Sequence, residues 1–246
     1  MNQKILITAS IKEEFVYIIN YAEKLEYKKV GGRSVVYGRL FDKRICLLTT
    51  GPGLVNTAQA ISTFIEYDKP SFIIQIGCAG GFKQAGMKIG DIGISTKEID
   101  VQSGIEPENV GAKNIDLPFF ILSKSGMYYK NEFAFDEEIV EKIHQIIESE
   151  MSGKNYSIKK GPFVTVSTIT ATDERSQFLF NNYEPIIESM EGSAFAHIAL
   201  YYDIPAIGIR SVSNITGKRD KGSWNQPLAY ERSGKAIIAL LKNYCL

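Results

Sequence analysis

Several places in this 246-residue chain carry side chains whose types and spacing suit chemistry. Glu13 and Glu14 stand where the apolar run KILITAS gives way to a helical pattern. Glu191 opens the nearly all-apolar stretch GSAFAHIALYY, and the small residues Gly192, Ser193 and Ala194 allow close approach. The segment PAIGIRSVSNITG passes from a buried-strand pattern into Arg210, Ser211, Ser213 and Asn214. Glycine clusters follow two further apolar runs, in TTGPGLVNTA and IGCAGGF. Carboxylates in such places suit activating a water or holding sugar hydroxyls, and an amide offers a heterocycle one acceptor oxygen and two donor hydrogens. A helix opened by a glycine turn presents free N–H groups to an anion or hydroxyl. Each feature also has a plain structural use. First-turn acids complement the helix dipole, an acid can cap a helix, and glycines make tight turns. What favours a site is their common position after strands, where ligands bind in open α/β sheets.

The elements that must position these groups alternate short apolar runs with helical periodicity, which predicts an α/β fold. Strands are expected at 4–10, as a pair SVVYGRL and KRICLLTT closed by Phe41-Asp42, at 71–77 in a central position, at 91–99, at 162–170 and from Ala206. Helices are expected through FVYIINYAEKLE, from Leu54 to about Tyr67, at 136–150, from about Asp173, through GSAFAHIALYY, and from about Pro227 to Tyr244. Gly31-Gly32 reads as a turn. Residues 100–135 lose periodicity while staying rich in aromatics, which suggests a functional or interface loop. With no repeat, low-complexity tract or linker, one domain over residues 1–246 is expected.

Composition narrows the function classes. Lys plus Arg equals Asp plus Glu, 28 each, so no basic excess points to nucleic acid. No apolar run reaches the ~18–20 residues that span a bilayer. MNQKILITASIKEE becomes charged before a signal-peptide core can form, so a cytoplasmic location is expected. Cys46, Cys78 and Cys245 are odd in number and widely spaced, so no disulfide framework is expected. His144 lies in an amphipathic helix pattern and His197 reads as a core histidine, and neither has metal-ligand spacing. No metal and no cofactor are implied. TTGPGLVNTA is not a dinucleotide fingerprint, because Asn56 holds the third glycine position.

Taken together, ASIKEE, TTGPGLVNTA, QIGCAGG, IGDIGIS, SMEGSAFAHI and DIPAIGIRSVSN resemble the purine nucleoside phosphorylase/nucleosidase superfamily, in order along nearly the whole chain. Within it the pattern is close to that of methylthioadenosine/S-adenosylhomocysteine nucleosidases. The resemblance implies a single domain with a mixed, partly barrelled central β-sheet flanked by helices, assembled as a dimer or larger homo-oligomer. It implies that Glu14 orients or activates the attacking water and that Met190 and Glu191 lie beneath the ribose. It further implies that Cys78, Ala79 and Gly80 line the sugar and base, that backbone near Ala171 and Thr172 reads the purine, and that Ser213 and Asn214 stand at the base.

Three departures refine the expectation. Asn214 occupies the position where the adenine-specific enzymes keep an aspartic acid. An amide cannot act as a general acid, but it can match both N7–H and O6 of a 6-oxopurine, which favours hypoxanthine over adenine. Gln75 stands where the hexameric phosphorylases carry a phosphate-binding arginine, which favours water as nucleophile. Ser189 replaces a glutamate before Met-Glu, with Glu188 displaced by one residue. The pattern ESMEG with SNITGKRDKGSW resembles futalosine hydrolases, whose substrate carries an aromatic carboxylate on its sugar. Lys218, Arg219 and Lys221 are then candidates to pair with that carboxylate and Trp224 to stack on it, although a solvated basic turn with a structural Trp accounts for them equally. The alternatives are methylthioadenosine/S-adenosylhomocysteine or aminofutalosine nucleosidase, a purine nucleoside phosphorylase, and a non-catalytic nucleoside-binding protein.

Overall fold

The computed structural model describes residues 4–109, 112–124, 126–151 and 155–244. Strand β1 (Lys4–Ala9) is buried beyond its first residue, as a strand covered on both faces must be. It runs parallel to β4 (Lys43–Thr49) on one side and β5 (Phe72–Gly81) on the other. β5 in turn runs parallel to β12 (Ala206–Ile215). These four strands point their carboxyl ends the same way.

Beyond β12 the sheet reverses. β6 (Ile92–Asp100) is antiparallel to β12 and parallel to β10 (Ile158–Thr165). β10 runs parallel to β11 (Ile187–Ser189), and β11 pairs antiparallel with β5. The ring β5–β12–β6–β10–β11 thus closes, making a partly closed barrel within a mixed ten-stranded sheet. β9 (Glu132–Ala134) adds to β6, and the far edge is the antiparallel pair β3 (Arg33–Leu40) and β2 (Glu23–Val30). Among the described residues, six helices cover it. α1 (Val16–Ile19), α3 (Glu137–Met151) and α6 (Gln226–Asn243) contribute to one apolar cluster, α2 (Leu54–Tyr67) and α5 (Gly192–Tyr201) to a second, and α4 (Asp173–Tyr183) to a third.

Three expectations need correction. The helix expected through FVYIINYAEKLE stops at Ile19, and Glu23 onward is strand β2. β2 is an exposed edge with charge on both faces, a common defence of sheet edges, so it shows no alternation and its Glu and Lys residues imitate a helix. Its hairpin turns at Gly31-Gly32, both at positive φ. The strand expected at 162–170 lies at Ile158–Thr165, with a register shift between Gly161 and Phe163 that accommodates Pro162, since proline in a sheet belongs at bulges. The three-residue β11 has no counterpart among the expected elements. Residues 100–135 are only partly irregular: β7 (Leu122–Lys124) and β8 (Met127–Tyr129) form a small hairpin beside β9.

Candidate active site

The ends of β1, β5 and β12, the turn after β4 and the segment leaving β11 surround a cleft of about 270 Å³. A hollow of about 320 Å³ beside Lys124, Phe135 and Ala199 is larger. It lies away from the carboxylates, so volume alone does not mark the site.

Where β1 ends, a single 3-10 turn (Lys12–Phe15) swings Glu14 inward and leaves Glu13 exposed. Glu14 is 2% exposed. Its Oε2 accepts from the backbone N–H of Ser10 at 2.9 Å and Ile11 at 3.2 Å, and its Oε1 from that of Cys78 at 2.9 Å. Burial raises its pKa, while Arg210 and the backbone donors of Cys78 and Ile11 oppose the rise. A carboxylate held this way is a stronger base than one in water.

Glu191 occupies the N-cap position of α5 but does not cap it. Its Oε1 accepts from Gly53 N–H at 3.0 Å, and its Oε2 faces Arg210 Nη2 at 3.2 Å. The TTGPG turn therefore gives an N–H to a carboxylate of the chain itself. Gly51 and Gly53 make that possible at φ +83° and +87°, a region that side chains disfavour. With each oxygen engaged once, Glu191 keeps lone pairs for two neighbouring hydroxyls.

Arg210, 1% exposed, joins the two acids. It meets Glu14 across Gly77, where an added Cβ would sit 2.4 Å from Glu14 Oε1 and 2.7 Å from Arg210 Nη1. Glu98 lies behind the pair against bare backbone: an added Cβ at Gly192 would fall 2.0 Å from its Oε2. One cation, Arg210, stands near three acids here. Burial pushes the pKa of Glu98 up to about 8, against the pull of Arg210 and Ser95.

A folded-state pKa above the usual 4.5 means that Glu98 contributes stability at low pH which is lost as pH rises toward 8. Glu98→Gln is expected to make the fall in unfolding free energy between those pH values shallower, by up to about 1.4 kcal/mol per unit of pKa shift removed. Glu14 and Glu188, also raised by burial, add to the same slope, while His197, lowered by burial, opposes it. Urea unfolding across this range checks it, and identical slopes in the two proteins would exclude the assignment.

At the other end of the cleft, β12 bulges between Val212 and Asn214. The extra residue, buried Ser213, directs its Oγ at Ala79 O (3.2 Å) and Asn214 Oδ1 (2.8 Å), which orients the amide. Cys78, Ala79 and Gly80 line one wall, and burial pushes the Cys78 thiol up to about 12, so it stays neutral. Met190, Ser189 and Glu188 line the cleft as well, Glu188 as the cross-strand partner of Gly80. Trp224 closes the rim, with the Arg219 guanidinium 5.1 Å above its ring.

The cleft thus brings together Glu14, Glu191, Asn214, Cys78, Ala79, Gly80, Met190, Ser213 and Trp224. Ala171 and Thr172 are exposed instead, and Thr172 caps α4 by accepting from Arg175 N–H at 3.1 Å. Val166 and Ile169 line the cleft on that side, because β10 ends earlier than expected. Lys218, Arg219 and Lys221 are exposed, and Gln75 is buried within β5 away from the cleft. His197 is half-buried and stacks on Phe133 at 5.1 Å between ring centres. Cys46 and Cys78 are free, and Cys245 lies outside the described residues. Among the described residues, no helix is long and apolar enough to cross a membrane. Three groups escape a sequence reading: Arg210 as the shared partner of the acids, Glu98, and Tyr230 of α6 at the cleft wall. The available signal was glycine at 77, 192 and 208, each where another element's side chain crosses bare backbone.

The pattern of the phosphorylase superfamily matches residues 4–245. This chain belongs to that superfamily. Among sequence relatives, a 5'-methylthioadenosine/S-adenosylhomocysteine nucleosidase of Bacillus cytotoxicus is 27% identical over 97% of this chain and 98% of its own length. Among solved structures, the corresponding nucleosidase of Neisseria meningitidis in complex with methylthio-immucillin-A superimposes with a TM-score of 0.82 at 21% identity, covering 98% of this chain and 100% of that one. The futalosine hydrolase of Helicobacter pylori gives a TM-score of 0.83 at 19% identity, covering 99% of both chains. The superfamily architecture, a mixed sheet partly closed into a barrel with six covering helices, is the one described above.

Proposed function

We propose that this chain hydrolyses the N-glycosidic bond of a 6-oxopurine nucleoside with an anionic aromatic tail, as in futalosine, and releases hypoxanthine. The chain is an enzyme of the N-glycosyl hydrolase class, in line with its nucleosidase relatives. Glycosidic cleavage builds positive charge on the ribose and negative charge on the departing base, and carboxylates answer the first of these. Glu14 activates water, and Glu191, braced by Gly53 N–H and Arg210, holds the ribose hydroxyls. Asn214 carries the choice of base, because its amide matches N7–H and O6 together. Arg219 over Trp224 at the rim suits a carboxylate on a ring.

The 27% identical relative favours a second reading, hydrolysis of methylthioadenosine and S-adenosylhomocysteine. We also take the chain to act in the cytoplasm as a homo-oligomer. Val55, Phe119, Phe120 and Tyr128 are exposed apolar side chains of the kind an interface covers. The test is base release from futalosine, aminofutalosine, inosine and methylthioadenosine, each with and without phosphate. Phosphate-independent hypoxanthine from futalosine, with little from inosine, is expected. Adenine from methylthioadenosine as the main product would install the second reading, and release only with phosphate would make the chain a phosphorylase.

A further inference from the structure

The start of α5 is capped from outside the helix. Glu191 holds the N-cap position, yet its side chain makes no cap hydrogen bond. The acceptor comes from another element: Thr165 Oγ1, at the end of β10, takes the backbone N–H of Ser193 at 2.8 Å. Ser193 is the second residue of the helix, whose N–H an N-cap side chain ordinarily serves. Thr165 is fully buried and Ser193 nearly so. This N–H therefore has no bulk water to turn to, and leaving a buried donor unmatched is costly.

Thr165 is itself held in place. Its branched Cβ restricts χ1, and accepting from Ser193 leaves its hydroxyl hydrogen unused. Glu98 Oε2 lies 3.5 Å away to face that hydrogen. Glu98 reaches this place because two glycines leave it room, since a Cβ at Gly192 or Gly208 would crowd its carboxyl group. Gly192 also joins Glu191 to the helix, so Thr165 and Glu98 both bear on the turn that carries Glu191. The carboxylate of Glu191, free of its own helix, goes to Gly53 N–H at 3.0 Å and Arg210 Nη2 at 3.2 Å. With the Ser193 N–H unmatched, the positive end of α5 would draw that carboxylate back toward the helix.

We propose that Thr165 is a positioning residue for the sugar site: by matching the Ser193 N–H from β10, it leaves the Glu191 carboxylate turned to the cleft and open to the ribose hydroxyls. This rests on the reading of Glu191 as the acid that holds those hydroxyls, and extends it. Thr165 is not among the residues that line the cleft, whereas Val166, next along the chain, is. It acts through Glu191 alone.

Calorimetric titration of two carbon-linked nucleosides that resist cleavage, 9-deazainosine and 9-deazaadenosine, each beside its 2′-deoxy counterpart, tests this. The wild type is expected to favour ribose over 2′-deoxyribose by about 10- to 100-fold, the worth of one hydrogen bond to a charged group. Thr165→Val, which keeps the shape and removes the acceptor, is expected to lose most of that preference, and Thr165→Ser to keep it. A purely structural role would weaken binding of both sugars alike and leave the preference intact. That outcome overturns the proposal while the reading of Glu191 stands. If the wild type does not distinguish the two sugars on either base, or binds neither nucleoside, both fall. Should Thr165→Val not fold, Thr165→Cys, whose sulfur is a weak acceptor, is expected to shrink the preference, and an unchanged preference there overturns the proposal as well.

Discussion

Glu14→Gln is expected to slow turnover by about 10²–10⁴-fold, the usual worth of a positioned general base, while the chain remains folded. The amide keeps the shape of the carboxylate but loses its charge and sets an NH₂ against a backbone donor. Three N–H groups converge on Glu14, and an amide oxygen can serve only one side of that set. Leaving a buried donor unmatched costs about 1–3 kcal/mol, a fraction of the ~5–15 kcal/mol of a typical domain. Relief from burying a charge offsets part of it. The pH profile provides an independent check. Glu14 must be ionised to take a proton from water, and burial raises its pKa. Wild-type kcat/KM should therefore fall as pH drops through that raised value, and the variant should lack this limb. A near-normal rate in Glu14→Gln would remove the residue from the mechanism.

Arg210→Met is expected to be the most destabilising single change at the site, by about 3–5 kcal/mol, the range for a buried pair that loses one partner. Arg210 heads the fully buried side chains by volume, and its Nη2 is 3.2 Å from Glu191 Oε2. Without it Glu191 and Glu14 face each other as uncompensated charges, and Glu191 already raises the cost of ionising Glu14. Methionine keeps much of the stem's volume, so the loss measures charge and not a cavity. Adding Glu191→Gln should recover part of the loss, a non-additivity that marks contact between the two. Urea unfolding of the two single variants and the double gives the coupling. Strict additivity, or a loss below about 1 kcal/mol, would mean that Arg210 is dispensable to the acids.

Much of the fold was legible because burial imposes periodicity. α2 matches its expected bounds and α6 starts within a residue of them, since both carry apolar stripes against the sheet. β2 was misread because an exposed charged edge has no stripe, and β11 was missed because three residues carry no period. In the site, Glu14, Glu191 and Asn214 were legible because acids and amides beside buried strands need a reason to be there. Arg210 stood in the same strand, but its partner lies in another element, and sequence spacing does not encode which acid a buried guanidinium meets. Glu98 was hidden among the ordinary charges of STKEID. Ala171 and Thr172 missed the cleft because the end of β10 was placed beyond Thr165.

The closure of the barrel by β11 bears on how the protein comes into being. Ile187 and Glu188 pair with Gly81 and Gly80, and β12 must lie beside the same strand. Contacts between segments so distant along the chain form late, because loop entropy opposes them. A nascent chain that has emerged only as far as α4 holds Glu14 and Cys78 but neither flank of Gly80. Competence to bind a base then waits until both β11 and β12 have been made and paired with β5, and a product that stops at α4 lacks it.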